Sequence, residues 1–379
     1  MKSALDIVIL GLSITSSWGN GHATTYRGLV RELAAQGHKV TFLERDVPWY
    51  GGAHRDQPEP QGCRTILYAG LDELFETHAG LVRDADAVIV GSYVPDGREV
   101  GAWAQATAKG LVAFYDIDTP VTLAALENGG TAYLAADQIP GYGLYLSFTG
   151  GPTLTRLERE FGSPMARALY CSADPDIYRP DEQAERWALG YLGTYSIDRQ
   201  PTLDKLLLKV AEALPERKFV VAGPQYPGDI VWPRNVERIE HLPPGEHRGF
   251  YTTQTFTLNV TRADMIRAGW SPSVRLFEAA ACAAPIISDH WEGLDELFRP
   301  GREILIAHST DDVVKALTEM TPESIRALGL RARTRVLAAH TAAHRAEELA
   351  THLREAIGRR AVVSRPSRRR VAAAARAGA

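Results

Sequence analysis

Short apolar runs alternate with amphipathic segments along all 379 residues, and this alternation restricts the chain to a parallel-sheet α/β architecture. The runs of the first half fall at Asp6 to Gly11, Lys39 to Glu44, Thr65 to Tyr68, Ala87 to Gly91, Val112 to Asp116, Leu144 to Phe148 and Ala168 to Cys171. Those of the second fall at Leu189 to Gly193, Phe219 to Ala222, Val236 to Ile239, Thr255 to Val260, Pro285 to Ser288 and Ile304 to Ala307. Helical patterns such as Thr24 to Gln36 and Glu99 to Lys109 lie between them. So many strands exceed one ordinary sheet, so the pattern predicts two doubly wound, Rossmann-like halves facing a cleft. The polar stretch Asp174 to Trp187, with two prolines, marks the hinge. The expected division is 1–172, 173–355 and a tail at 356–379, with the helices after Pro322 able to cross back onto the first half.

The segment Gly269 to Phe298 carries the clearest chemical signal. Ser271 suits an N-cap, Pro272 the first helical position, and Ala284-Pro285 a stop, giving a helix of about three turns. Its amino end offers unpaired N–H groups and partial positive charge to a phosphate, around Ser271, Pro272, Ser273 and Val274. Arg275 would add a fork of donors there. Ser271, Arg275 and Glu278 share one helix face, and Glu278 lies roughly 10 Å beyond the anion site at ~1.5 Å per residue, where a ribose would present two hydroxyls. The competing interpretation is a core helix whose glutamate pairs with an arginine.

Three further loops follow apolar runs. After the first, SSWGNGHATT places Gly19, Asn20 and Gly21 as a flexible acceptor or sugar loop, with His22 as base, sugar contact or helix cap. A dinucleotide fingerprint fails here because Thr24 stands where a third Gly or Ala belongs, although Glu44 ends the second strand as such sites require. After the fifth run comes Asp116-Ile117-Asp118-Thr119-Pro120. Asp118 is the catalytic candidate, and Asp116 and Thr119 are acceptor or sugar contacts; alternatively Asp118 or Thr119 caps a helix beginning at Pro120. We read this Asp-x-Asp as metal-free because it is remote in sequence from the nucleotide-like helix. In the second half, Gly193, Thr194 and Arg199 are placed to clamp a diphosphate, and the EHLPP turn puts His241 and Leu242 at a base pocket.

Composition bounds the rest. The hydrophobic fraction is 45 %, the charged fraction 23 % and mean hydropathy −0.18. No apolar run approaches the ~20 residues of a membrane span, and MKSALDIVILGLS reads as a strand, so a cytoplasmic protein is expected. Cys63, Cys171 and Cys282 lack the spacing of a disulfide framework or zinc site. Seven arginines after Ala356 account for positive charge that, removed from the net −4, leaves −11 on the rest. That tail reads as disordered and suited to anionic surfaces; nucleic acid is not expected as a partner, and a homo-oligomer is compatible with the sequence.

Together, SSWGNGHATTYRGLVREL, FYDIDTPVTL, YLSFTGG, LYCSADPDIYRP, YLGTYSIDRQP, VVAGPQYP and SPSVRLFEAAACAAPIISDHWEGLDELF give a chain that resembles the CgeB-like spore-maturation glycosyltransferases, relatives of glycosyltransferase group 1 with the glycosyltransferase B fold. The resemblance runs to about Leu353. It implies a nucleoside diphosphate sugar (UDP, dTDP or GDP) as co-substrate on the second half, an acceptor on the first, no further cofactor, and retention of configuration. Relatives carry an E-x7-E pair; Glu278 matches its later glutamate, whereas Trp270 stands at the earlier one. The alternatives are a nucleotide-sugar epimerase, a weakly active sugar-nucleotide-binding or structural protein, and a nicotinamide or flavin oxidoreductase.

Overall fold

The computed structural model describes residues 4–18 and 21–363. Gly19 and Asn20, proposed as acceptor contacts, and the tail from 364 onward lie outside the described residues.

Two parallel sheets form, one in each half. The first has β1 (Asp6–Gly11), β2 (Lys39–Arg45), β3 (Arg64–Tyr68), β4 (Ala87–Gly91), β5 (Leu111–Asp116), β6 (Leu144–Ser147) and β7 (Ala166–Ala168), in the order β3-β2-β1-β4-β5-β6-β7. The second has β8 (Trp187–Leu192), β9 (Phe219–Ala222), β10 (Val236–Ile239), β11 (Gln254–Asn259), β12 (Ile286–Ser288) and β13 (Leu305–Ile306), in the order β10-β9-β8-β11-β12-β13. β1 and β4 are buried on both faces, as parallel strands covered by helices must be. In each sheet the order reverses beside the first strand, between β1 and β4 and between β8 and β11, and ligands bind beyond the carboxyl ends of strands at such a point.

The seventh apolar run leaves the sheet three residues earlier than its composition suggests. Pairing ends at Ala168, and Leu169, Cys171 and Ala173 are buried because they run between the halves: the Cys171 thiol donates to the Pro272 carbonyl at 3.4 Å, and Ala173 bridges to Thr341. Such residues look strand-like because burial, not pairing, demands their apolar character.

The last helix, Ala342–Val363, does cross back onto the first half. Its stripe Ala346, Leu349, Ala350, Leu353 and Ala356 is buried at helical spacing, Arg167 pairs with Glu355 at 2.9 Å, and the Gln36 amide donates to the Ala343 carbonyl at 3.3 Å. This corrects the expected start of the disordered tail. Ala356 anchors the helix, and the Arg359–Glu355 pair, one turn apart at 2.7 Å, supports its continuation. Among the described residues no helix is long and apolar enough to cross a membrane.

Candidate functional site

At the two reversal points the halves enclose a cavity of ≈ 570 Å³. The first half contributes His22, Tyr93 and Asp118, just past β1, β4 and β5; the second contributes Thr194, Arg262 and Pro272 to Val274. A smaller cavity of ≈ 240 Å³ is lined by Thr24, Arg27 and Gly28 of the helix His22–Ala35 and by Glu278 of the helix Val274–Ala281. A larger one, ≈ 930 Å³, sits at the opposite ends of β5 and β6 beside Leu111 and Arg360, away from any strand terminus that positions ligands in this architecture.

The second-half wall is built around the Val274–Ala281 helix, which is shorter than expected. Ser271 lies three residues before its first turn and does not cap it; instead it accepts a hydrogen bond from Thr149 of the first half at 2.9 Å. Ser273 takes the N-cap position instead and donates to the Asn259 side chain at 2.8 Å. Ser271 is therefore a tie between the halves, while Pro272, Ser273 and Val274 line the cavity. Shortening also brings Glu278 to about 7 to 8 Å along the axis from the cap, at ~1.5 Å for each of five residues. Glu278 is nearly buried, and its carboxylate accepts from Tyr251 at 3.2 Å with His247 at 3.9 Å.

Positive charge gathers at the ends of β8 and β11. Arg275 does not reach out as a free fork: its Nε donates to the Leu192 carbonyl at 2.6 Å, its Nη1 to Asn259 at 2.8 Å, and it stacks on Tyr191. Arg199 donates Nη2 to the Thr194 carbonyl at 2.6 Å. Burial, then the fields of Arg275 and Arg262, push the Arg199 pKa below its ordinary value. Among the described residues the Nε atoms of Arg199 and Arg262 are buried without a hydrogen-bond partner. Positive charge gathered this closely favours an anion beside it, and Arg262 lines the cavity whereas Arg199 stands behind that lining. Arg262 escaped sequence reading; its signal was a lone arginine three residues past the last residue of β11, at the reversal point.

Several expected contacts are committed elsewhere. The Gly193 N–H cannot hold a phosphate, because it extends the β8–β9 ladder to the Ala222 carbonyl at 2.8 Å; only Thr194 faces the cavity. His241 is exposed and borders neither cavity, and Leu242 lines a separate depression with Trp187 and Arg248. Pro244 and Gly245 of the same turn reach the Glu278 cavity instead, since the turn bends into the helix Pro244–Thr252.

On the first-half wall the Asp-x-Asp separates into two roles. Asp116 is fully buried and accepts from Tyr145 at 2.6 Å, Thr122 at 2.8 Å and the Asp118 amide at 3.2 Å; burial raises its pKa to about 6. Thr119 is likewise internal, donating to the Asp116 carbonyl and accepting from Ser147. Neither reaches the cavity. The two carboxylates therefore form no open pair, and no group of three or more metal-ligating side chains occurs among the described residues. Asp118 caps the helix Thr119–Glu127 through its carbonyl, which leaves its carboxylate to face the cavity and accept from Tyr93 at 3.1 Å. Burial raises the Asp118 pKa, opposed by Tyr93 and by Arg262 and Arg199 across the gap.

His22 opens the helix His22–Ala35 and packs edge-on against Tyr93 at 5.4 Å. Burial lowers its pKa to about 4, and its Nδ1 has no partner among the described residues. A neutral imidazole with an open nitrogen can accept a proton or a hydrogen bond. Gly21 lines the same cavity. Glu44, which a dinucleotide site would use, is turned inward: it accepts from Ser13, from the amides of Ile14 and Thr15, and from the Thr15 hydroxyl, fixing the loop after β1.

Residues 199–351 match the family described as glycosyl transferase-like. No curated protein sequence matches the chain. Its fold is that of solved glycosyltransferase B structures. It is similar to a sucrose-phosphate synthase from Thermosynechococcus elongatus, at 15 % identity and TM-score 0.64 over 92 % of this chain and 98 % of that one. It is also similar to Anabaena HepE in complex with UDP-glucose, at 12 % identity and TM-score 0.66 over 93 % and 100 %. An alpha-glucosyltransferase in complex with UDP matches at 12 % identity and TM-score 0.68 over 92 % and 100 %.

Proposed function

We propose that the chain is a glycosyltransferase of the group 1-like, CgeB-related type, which moves a sugar from a nucleoside diphosphate sugar to a hydroxyl held in the cleft. The observation that carries this reading is the gathering of Arg199, Arg262 and Arg275 near the helix amino end, with Arg262, Ser273 and Val274 lining the cavity that His22 and Asp118 line from the other half. The similarity of residues 199–351 to glycosyl transferase-like sequences supports it, as do structural neighbours solved with UDP and UDP-glucose.

In this reading the diphosphate lies against Thr194, Ser273, Val274, Arg199 and Arg262, and the ribose lies toward Glu278. The acceptor oxygen forms a bond to the anomeric carbon as the bond from that carbon to the diphosphate breaks. The electron pair leaves with the nucleoside diphosphate, whose growing charge the arginines and helix end stabilise. This arrangement supplies positive charge where a divalent ion otherwise would, so the proposal includes metal-independent transfer, tested by turnover in EDTA. The acceptor proton passes to a group on the first-half wall, where His22 and Asp118 line the cavity; burial weakens His22 as a base by lowering its pKa to about 4 and strengthens Asp118 by raising its own.

Retention of configuration belongs to the proposal through the resemblance alone. The position of His22 beside Asp118 and Tyr93 favours a second reading, direct displacement with inversion, in which His22 is the general base. NMR of the first-formed anomer separates the two. The test of the donor site is Glu278→Ala: UDP affinity should fall by about 1 to 3 kcal/mol through lost charge-assisted hydrogen bonds to ribose. Unchanged UDP affinity by calorimetry removes Glu278 from the site. Turnover of donor to an epimeric nucleotide sugar without acceptor would favour an epimerase.

A further inference from the structure

Resting on the glycosyltransferase reading, the acceptor side of the cleft shows what class of molecule it is shaped for. Its first-half wall is rich in rings and aliphatic side chains: Leu12, Ile117, Phe148 and Cys171 with the rings of Tyr50 and Tyr93, whose hydroxyls join His22, Thr25 and Asp118 as its polar groups. Two of these groups are spent on each other, since the Tyr93 hydroxyl donates to Asp118 at 3.1 Å. The apolar character continues outward. Trp49, 54 % exposed, packs its ring 6.2 Å from that of Tyr50.

Across the gap Met265 lines the cavity, Ile266 beside it is exposed, and Ile197 is 80 % exposed on a loop tied to the same helix by the Ala263 N–H to Asp198, 2.8 Å. Trp49 and Ile266 are exposed chain neighbours of the lining residues Tyr50 and Met265, and exposed apolar side chains beside a cavity suit a ligand that covers them.

A saccharide acceptor brings many hydroxyls, each of which loses water on binding and needs a partner. This wall would leave most of them unpaired. A flat ring system with a single reacting hydroxyl loses little: its faces pack on Tyr50 and Phe148, and its hydroxyl meets His22 and Asp118. An extended aliphatic chain would gain less from aromatic walls in a cavity of ≈ 570 Å³. We propose that the acceptor is a hydroxyl-bearing aromatic or fused-ring aglycone, not a polyhydroxylated sugar, and that Tyr50, Phe148 and Trp49 form its stacking surface.

The test uses the full chain with UDP-glucose, measuring UDP release and glucoside mass with 2-naphthol or 4-methylumbelliferone, with maltose or cellobiose, and with n-decanol. Glucosides of the first pair, made faster than any product of the others, are expected. Trp49→Ala should then raise the KM for 2-naphthol by about threefold to tenfold, the value of one lost aromatic contact, with a smaller change in kcat. Transfer to maltose, cellobiose or n-decanol in preference to the naphthol, or donor hydrolysis that no acceptor accelerates, overturns the acceptor class and leaves the transferase reading standing. Failure to bind any of UDP, dTDP and GDP in calorimetry overturns the transferase reading itself.

Discussion

Arg262→Ala separates an anion-binding arginine from a structural one. In the free protein Arg262 has no hydrogen-bond partner for its buried Nε; it repels Arg199 and attracts Asp118. These two fields oppose each other, so truncation should alter the stability of the free protein by no more than about 1 kcal/mol. Binding behaves differently. A guanidinium hydrogen-bonded to a diphosphate contributes about 1.5 to 3 kcal/mol, so UDP should bind roughly 10- to 150-fold more weakly. Uridine, which has the base and ribose but no phosphate, should keep its affinity. Calorimetric titration of both ligands into both proteins, with urea denaturation of each, gives the comparison. Equal losses for UDP and uridine would show that Arg262 merely shapes the second half, and a UDP affinity within twofold of the parent would refute the anion site as built here.

Three other perturbations are expected to read out parts of the same structure. His22 has its pKa lowered from 6.5 to about 4 in the folded chain, so the unfolded state binds the extra proton; stability should be full above about pH 6.5 and fall by up to about 3 kcal/mol as pH drops toward 4. In His22→Gln the acid limb of a urea-denaturation series should be shallower, and an unchanged limb would assign it to other groups such as His340, which is shifted the same way to about 3. Gly151 has φ +55 and a Cβ there would meet the Trp270 ring at 2.4 Å, so Gly151→Ala should cost about 1 to 3 kcal/mol; Trp270→Ala in the same chain should recover the packing part, and simple additivity would contradict the contact. Asp116→Ala strips partners from the buried Tyr145 and Thr122 hydroxyls and should destabilise by about 1 to 3 kcal/mol while UDP affinity by calorimetry holds; a selective loss of affinity would restore Asp116 to the site.

Trp270 shows how the halves are joined at the donor end. It stands at the position of a donor-contacting glutamate in related sequences, but with φ +42 its ring lies over Gly151 and Gly293, and its carbonyl accepts from the Gly150 amide at 2.9 Å. With the Thr149–Ser271 hydrogen bond, this docks the loop after β6 onto the segment leading into the Val274–Ala281 helix. The second glycine of YLSFTGG, Gly151, is thus explained by a bulky neighbour more than a hundred positions away.

Periodicity alone determined the two parallel sheets, the position of nearly every strand within a residue or two, and the helix that carries Glu278, because burial on both faces of a parallel strand writes itself into contiguous apolar residues. Position after a strand or on a helix singled out His22 and Asp118, which line the larger cleft cavity, and Glu278, which lines the smaller one. What the sequence left open were matters of partnership. Asp116 and Asp118 are equivalent on paper, yet one is enclosed by Tyr145 and Thr122 and the other faces the gap. Ser271 reads as the cap, yet the helix begins only at Val274 and Ser271 joins Thr149 of the other half instead. Arg275 reads as a ligand and Arg262 as background until the carbonyl of Leu192 and the side chain of Asn259 take up one and leave the other's Nε open. Each outcome depends on a partner remote in the chain, and hydrogen-bond satisfaction between such partners is settled only when the sheets and the two halves are packed.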